Sequence, residues 1–254
     1  MRIGPRTVLA LAALGVVCVA TSLTLFALLH VLPPSASLDW TRRTISQYAL
    51  LPNGWVFDTA TLLLAAGSAG ILIALHRTGV LRRGAVIALA AWVVGLIGVV
   101  WFQKHSWSGG GPSISGDIHR FFSLVAFVSL PAGALLAAAP WLRHPTPATH
   151  ASAAQAPAVH APAVHAPVSA SAVGDPRAAR SVALGGAASL LCFTPILYAL
   201  ISQSWTGVRW WQAIPLGTFE RLLGLVEVTT VLLLAWWAIR ATRTRQPSTD
   251  SLPA

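Results

Sequence analysis

Ionisable side chains are scarce in this chain, and three of them gather between two apolar runs. Residues 109–122 read Gly-Gly-Gly-Pro-Ser-Ile-Ser-Gly-Asp-Ile-His-Arg-Phe-Phe, which places Asp117, His119 and Arg120 close together. A carboxylate that orients an imidazole is typical of general acid–base sites. Asp117 at a helix start also suits a capping role, and Arg120 at i,i+3 can pair with it. Both interpretations of Asp117 stay open.

A second polar group lies immediately before the apolar run at residues 54–75 and in the first turns of that run. Residues 42–48 read Arg-Arg-Thr-Ile-Ser-Gln-Tyr. The forked donors of an arginine such as Arg43, beside the hydroxyl of Ser46, suit a lipid phosphate or a carboxylate, although an exposed loop flanking a span is the alternative. Asp58 and Thr61 then begin a stripe of small polar residues at helical spacing, which is predicted to face other helices.

Two acids near the C-terminal end occupy one predicted helix face. Glu220 and Glu227 are seven residues apart, so they lie about 10 Å from each other along the axis. An unpaired charge at the depth of Glu227 is costly in a membrane, so this side chain is predicted to face the protein interior. Its expected partner is an arginine: Arg221, Arg43 or Arg120.

The composition indicates the fold class. Of 254 residues, 55% are hydrophobic and only 9% are charged, which excludes an ordinary soluble domain. Six apolar runs, at residues 8–29, 54–75, 84–102, 118–139, 181–201 and 219–239, reach about the 20 residues that cross a bilayer. The first run resembles a signal peptide, but its length and the lack of a cleavage site favour a retained helix. The prediction is an all-α, polytopic bundle of six transmembrane helices.

The chain is expected to divide into four parts. Residues 1–145 hold the first four spans, 146–178 form a low-complexity Ala/Pro/His linker, 179–242 complete the same bundle, and 243–254 form a disordered tail. Most of the 17 basic residues fall on the side of both termini and the linker, so the positive-inside rule predicts that these are cytoplasmic. Tryptophans at both ends of the spans, Trp141, Trp236 and Trp237 among them, are predicted to form interfacial belts.

Several function classes are disfavoured. The basic residues flank spans and form no aromatic-basic stripe, so no nucleic-acid partner is expected. His105, His119, Asp58 and Asp117 could converge on a metal, but no metal-ligand spacing supports this, and the linker histidines are interpreted as spacer. Histidines at the ends of spans do not suit haem, so no metal and no cofactor are predicted. Cys18 and Cys192 lie inside apolar runs, where thiolate chemistry is not expected.

Four short motifs resemble a known family. They are the segment 43–50 (Arg-Thr-Ile-Ser-Gln-Tyr-Ala-Leu), the segment 54–58 (Gly-Trp-Val-Phe-Asp), the segment 116–119 (Gly-Asp-Ile-His) and Glu220-Arg221. Together they resemble the bacterial and archaeal membrane proteins called domain of unknown function 998. The resemblance implies a six-helix integral membrane protein without an established activity, with Ser46, Asp58, His119 and Arg221 at characteristic positions. The chain departs from the family at residues 102–105, where Phe-Gln-Lys-His replaces a Phe-Pro-x-Asp type run, and in its long linker.

The functional prediction is a bacterial inner-membrane protein with a polar cavity in its extracytoplasmic half that binds a membrane lipid headgroup or a small polar solute. The predicted ligand-binding residues are Arg43, Ser46, Asp58, Asp117, His119, Glu220, Arg221 and Glu227. One alternative is a membrane-embedded hydrolase or transferase acting on an envelope lipid, with His119 as base and Asp117 or Asp58 orienting it. Another is a structural or assembly subunit whose ion pairs only hold helices together. Catalysis and protein partners are left open.

Overall fold

Long helices dominate the computed structural model, which describes residues 4–105, 113–143 and 175–244. The helices are α1 (Pro5–Val31), α2 (Gly54–Arg77), α3 (Arg83–Trp101), α4 (Ile114–Arg143), α5 (Pro176–Thr206), α6 (Trp210–Ala213) and α7 (Leu216–Arg243), with 3₁₀ helices at Ser35–Ser37 and Ile45–Leu50. Six of them, all except the four-residue α6, are long and apolar enough to cross a membrane. The predicted all-α architecture with six spans is confirmed.

Helix α7 contacts four other spans, α1, α2, α4 and α5. Antiparallel neighbours α1 and α2 approach closely at Gly15 and Gly67, where a Cβ on Gly67 would lie 2.7 Å from the Gly15 carbonyl oxygen. On the other side, a Cβ on Gly95 of α3 would lie 2.9 Å from the Ala126 backbone nitrogen of α4. Small residues therefore bring these backbones together, as is usual where lipid offers no hydrophobic drive between helices.

One predicted belt residue belongs to the core instead. Trp237 is fully buried and meets Trp141 edge to face, with ring centroids 6.4 Å apart. The prediction of an interfacial position for Trp237 is wrong, because its helix turns this face toward the bundle. Trp101 and Trp55, by contrast, are 79% and 66% exposed at the ends of their spans, as belt residues should be.

The segment between α1 and α2 is folded rather than an exposed loop. It lies at the end of the bundle that also carries the α3–α4 and α5–α7 connections. This end is called the predicted outer end, because the distribution of basic residues predicts that it faces away from the cytoplasm. Tyr48, in the second 3₁₀ helix, is 1% exposed and packs with Leu29 and Phe57. Residues 44–49 of this segment are therefore buried or half-buried at that end, whereas most of residues 32–43 are exposed.

Helix α5 begins earlier than predicted, at Pro176 inside the proposed linker. Asp175 caps it: its carboxylate accepts from the Arg177 backbone nitrogen at 2.9 Å, and Pro176 suits the first helical position. The same carboxylate pairs with Arg240 of α7 at 2.7 Å. His144, the rest of the linker with His150, His160 and His165, and the tail beyond Thr244 lie outside the described residues.

Replacing Asp175 should separate its two roles. Asp175→Ala removes the cap and the ion pair and is expected to lower the free energy of unfolding by about 1 to 2 kcal/mol. Asp175→Asn keeps the capping oxygen and loses only a partly exposed pair, so we expect a loss below about 1 kcal/mol. Thermal unfolding in detergent measures both. Equal losses would contradict the capping role.

Candidate functional site

Arg221 joins three elements at the predicted outer end. Its Nε donates to His30 Nε2 of α1 at 2.8 Å, Nη2 donates to the Tyr48 hydroxyl at 3.1 Å, and Nη1 donates to the backbone oxygens of Arg43 and Gly217, each at 2.9 Å. Because arginine can only donate, His30 Nε2 must accept, and the proton on Nδ1 is donated to the Phe26 carbonyl at 2.8 Å. The Arg221 guanidinium is therefore already hydrogen-bonded to four acceptors of the protein.

A second polar cluster centres on Lys104, which is 7% exposed. Its Nζ donates to the hydroxyls of Thr44 and Ser46, the latter at 3.0 Å. The carboxylate of Glu220 accepts from the Ile45 backbone nitrogen at 2.8 Å and so satisfies the first amide of the 3₁₀ helix Ile45–Leu50. The segment 44–46 thus holds an ammonium through its side-chain hydroxyls and a carboxylate through a backbone amide.

Burial lowers the pKa of Lys104 to about 8 from its ordinary 10.5; the nearby carboxylate of Glu220 opposes that change, and the charges of Arg43 and Arg120 reinforce it. Lys104 was not among the predicted site residues. The sequence signal that could have identified it is that Lys104 is the single lysine among 17 basic residues and lies in the loop that departs from the family pattern. A lysine shifts its pKa readily when it is buried, whereas an arginine stays charged.

His119 is held by the end of α3 rather than by a carboxylate. It is 3% exposed, and its Nδ1 donates to the carbonyls of Val99 and Phe102 at 3.0 and 2.9 Å. Its Nε2 is enclosed and makes no hydrogen bond with the residues that the structure describes. The expected orientation of His119 by Asp117 or Asp58 is therefore wrong, since two backbone oxygens take that place.

Two neighbouring cavities lie inside the bundle. The first, here called the end cavity, has a volume of about 340 Å³ and lies between α4, α5 and α7 at the predicted outer end. Its polar residues are Thr44, Ser46, Lys104, His105, His119, Arg120, Ser123 and Glu220, and its apolar wall comes mainly from α5. Leu124, Leu197 and Leu200 of this wall are 48%, 37% and 50% exposed, so the apolar side meets the lipid.

The second, the central cavity, measures about 300 Å³ and lies between α1, α2, α3, α4 and α7. It shares Ser46, Ser123, Phe127 and Glu220 with the end cavity. Glu227 lines it, is 1% exposed, and has neither carboxylate oxygen hydrogen-bonded within the described parts of the chain. Glu227 faces the interior as predicted, but the expected arginine partner is absent there: Arg221 is occupied elsewhere and Arg120 pairs with Asp117.

The predicted site residues are therefore divided. Ser46, His119, Glu220, Arg221 and Glu227 line one or both cavities, whereas Arg43, Asp58 and Asp117 line neither. The Arg43 side chain is exposed, and the part-buried Asp58 carboxylate makes no hydrogen bond or ion pair with described residues. Asp117 lies in the first turn of α4, which Ser113 caps, and forms the predicted exposed pair with Arg120. A single polar cavity holding all eight residues is not what the bundle forms.

The geometry also bears on metal binding. Within residues 4–105, 113–143 and 175–244, no three histidine, cysteine or acidic side chains come close enough to hold a metal. The four candidate ligands do not meet, because Asp117 points to Arg120 and Asp58 lies on α2 away from both cavities. Of these four residues, only His105 and His119 line the end cavity.

Six membrane-crossing helices around two mainly apolar cavities define the class: the chain is a multi-pass integral membrane protein. A family model described as protein of unknown function (DUF998) matches residues 16–174, well over half of the chain, and the chain belongs to that family. This confirms the resemblance drawn from the short motifs, although Glu220, Arg221 and Glu227 lie beyond the matched residues. Comparisons with curated proteins and with solved structures find no match.

Proposed function

We propose that this protein binds an anionic membrane lipid in the end cavity, with the headgroup at Lys104 and an acyl chain along α5. The observation that carries the proposal is the cavity's two-sided lining: a buried ammonium with two hydroxyls at one end, and an apolar wall that meets the bilayer at the other. Small ligand sites commonly combine a mostly apolar lining with a few placed polar groups.

The charges around the end cavity favour a phosphate or carboxylate. Lys104 and Arg120 line it as cations, and Glu220 is the one acid of its described lining. The Glu220 carboxylate already accepts from the Ile45 amide, so it is partly neutralised. A small polar solute could bind at the polar end, but it has no apolar part to pack against the leucines of α5. The lining therefore favours an amphiphile.

The proposal places the protein in a bacterial inner membrane with both termini in the cytoplasm, since the basic residues concentrate on that side. The end cavity then opens toward the extracytoplasmic leaflet. Accessibility of single cysteines introduced at position 42 and at position 243 to a membrane-impermeant thiol reagent in intact cells tests this orientation. Labelling of position 243 and not of position 42 would reverse it.

Lipid retention tests the site directly. The full-length protein, purified in mild detergent, is expected to carry an anionic lipid visible by native mass spectrometry, and Lys104→Met should reduce its occupancy about tenfold or more, the loss of one charge-assisted contact. Arg42→Met, an exposed cation at the same end that lines neither cavity, is the matched control. Equal lipid on wild type and Lys104→Met would overturn the proposal. Competition by glycerol phosphate as effective as by the whole lipid would identify a solute site instead.

The pH dependence follows from the pKa of Lys104, about 8. Lipid retention is expected to weaken as pH rises through that value, because the neutral amine no longer attracts an anion. The stability of the lipid-free protein should instead increase with pH. The pKa of Lys104 is lower in the folded protein than its value of 10.5 in the unfolded chain, so the unfolded chain binds more protons. Stability therefore rises with pH between about 8 and 10.5. Lys104→Met should remove both trends. Retention unchanged between roughly pH 7 and pH 9.5 would exclude Lys104 as the headgroup contact.

A further inference from the structure

The central cavity holds a carboxyl group that the lipid site does not use. Glu227 lies eleven residues into α7, about 17 Å along the axis from its start, which is near the middle of a membrane span. It is 1% exposed, and both oxygens are without a hydrogen-bond partner among the described residues. A buried polar group of this kind is rare in folded proteins and requires an explanation.

Packing alone does not explain it. An ionised carboxylate enclosed in an apolar space without a counter-charge costs several kcal/mol. A neutral acid with no partner still loses the hydrogen bonds that it makes in water, about 1 to 3 kcal/mol. A leucine at this position would fill the space without either cost. The carboxyl group therefore stands where an occupant of the cavity would meet it.

The other charged and titratable groups of the central cavity do not neutralise Glu227. They are His30 on α1 and Glu220 and Arg221 on α7; the linings from α2, α3, α4 and the 45–46 segment contain none. Arg221 donates to four acceptors away from Glu227, and His30 is the acceptor of one of those bonds. A counter-charge for an ionised Glu227 would therefore have to come from a ligand.

Aromatic rings surround the space beside this carboxyl group. Phe26, Phe57, Trp92 and Phe127 all line the cavity, with Phe26 and Phe57 edge to face at 6.0 Å. The Trp92 nitrogen donates to the Ser68 hydroxyl at 3.0 Å, so this indole has its polar atom satisfied outside the cavity lining. Aromatic faces attract organic ammonium ions, and more strongly when water is excluded.

We propose that the central cavity binds an organic monocation, an ammonium carrying apolar substituents, in exchange for the proton of Glu227. The empty cavity holds the neutral acid. When the cation enters, the O–H bond of Glu227 breaks, the proton leaves to water, and the carboxylate pairs with the ammonium inside the ring of aromatic side chains. One positive charge enters and one leaves, so the net charge of the cavity does not change. A volume of about 300 Å³ suits a small organic ion.

An inorganic cation fits less well. Hard metal cations take several oxygen ligands at once. Besides Glu227, the hydroxyls that line this cavity are those of Ser46, Thr61 and Ser123, and the last two donate to backbone carbonyls of their own helices. Apart from these groups and His30, Glu220 and Arg221, the lining is apolar. A cation that brings its own apolar surface matches it better.

Benzyltrimethylammonium is the probe, titrated into the full-length detergent-purified protein by calorimetry in two buffers of different protonation enthalpy. We expect release of one proton per bound cation and an affinity that rises about tenfold for each pH unit while Glu227 is protonated in the free protein. Glu227→Gln should abolish the proton release and lower the affinity at least about tenfold. Asp58→Asn, a part-buried acid that lines neither cavity, is the matched control and should behave as wild type.

Folding of the Glu227→Gln variant is checked by thermal unfolding without ligand, where we expect no loss of stability because a buried acid is replaced by a neutral group of equal size. Unchanged cation affinity in Glu227→Gln, or binding without proton release in wild type, would overturn the proposal. So would equal affinity for neopentylbenzene, the uncharged isostere, which would make the cavity a site for neutral apolar ligands. The Lys104→Met variant should still bind the cation, so failure of the lipid site and failure of this one are separable.

Discussion

Replacing Arg221 with methionine is expected to destabilise the protein by about 3 kcal/mol or more, the largest effect of any single polar substitution proposed here. Four acceptors lose their donor at once: His30 Nε2, the Tyr48 hydroxyl and two backbone oxygens. Tyr48 is 1% exposed, so its hydroxyl cannot turn to water. Methionine keeps the length and the apolar stem, so the loss reports the guanidinium and not the packing.

Arg221→Lys should recover little of this stability. A single ammonium has three donors at one point and cannot reach α1, the 43–48 segment and the first turn of α7 together. Thermal unfolding of the three proteins in the same detergent measures the series, with Arg42→Met as the exposed-arginine control. Equal stability of Arg221→Lys and wild type would show that only the charge matters at this position. Equal stability of Arg221→Met and wild type would refute the joining role altogether.

Replacing Gly67 with leucine should separate α1 from α2. A Cβ at this position would already lie 2.7 Å from the Gly15 carbonyl oxygen and 3.0 Å from a Val19 methyl, and the backbone atom cannot move without its helix. Overpacking of this kind costs about 1 to 3 kcal/mol, and more when backbone must shift. Because α1 and α2 both line the central cavity, we expect loss of benzyltrimethylammonium binding together with a lower unfolding temperature.

Gly84→Ala is the matched control for Gly67→Leu. Gly84 is also helical, but a Cβ there would lie 3.8 Å from Leu136, an ordinary contact. Alanine is a better helix former than glycine, so the unfolding temperature of the Gly84→Ala protein should be unchanged or slightly higher than that of wild type. A Gly67→Leu protein as stable as this control would contradict the close approach of α1 and α2.

The comparison of sequence with structure is clearest for Glu227 and Arg221. The depth of Glu227 in an apolar run predicts that it faces the interior, because hydrocarbon cannot solvate a carboxyl group, and the structure confirms this. Its partner was expected to be an arginine, Arg221, Arg43 or Arg120, and that expectation is wrong. Arg221, six residues earlier on α7, is turned away from Glu227 and toward His30 and Tyr48, groups that come close only when α1 and the 3₁₀ segment pack.

His119 and Lys104 illustrate the same division. Proximity in sequence favoured a carboxylate as the partner of His119, but the free carbonyls at the end of α3 are closer, and Asp117 has an arginine one turn away. Nothing local to residues 102–105 indicates that Lys104 is buried. Its burial depends on hydroxyls of the 44–46 segment, some sixty residues away in the chain.

The sequence by itself determined the class of protein, the six spans and the family. These depend on local properties: the length of apolar runs and short motifs, each of which acts within one helix or its immediate surroundings. Only the tertiary structure decided that eight predicted site residues divide between two cavities and the surface. Which donor meets which acceptor depends on how distant helices rotate and pack, and a few polar groups among many apolar ones carry too little periodic signal to specify that rotation.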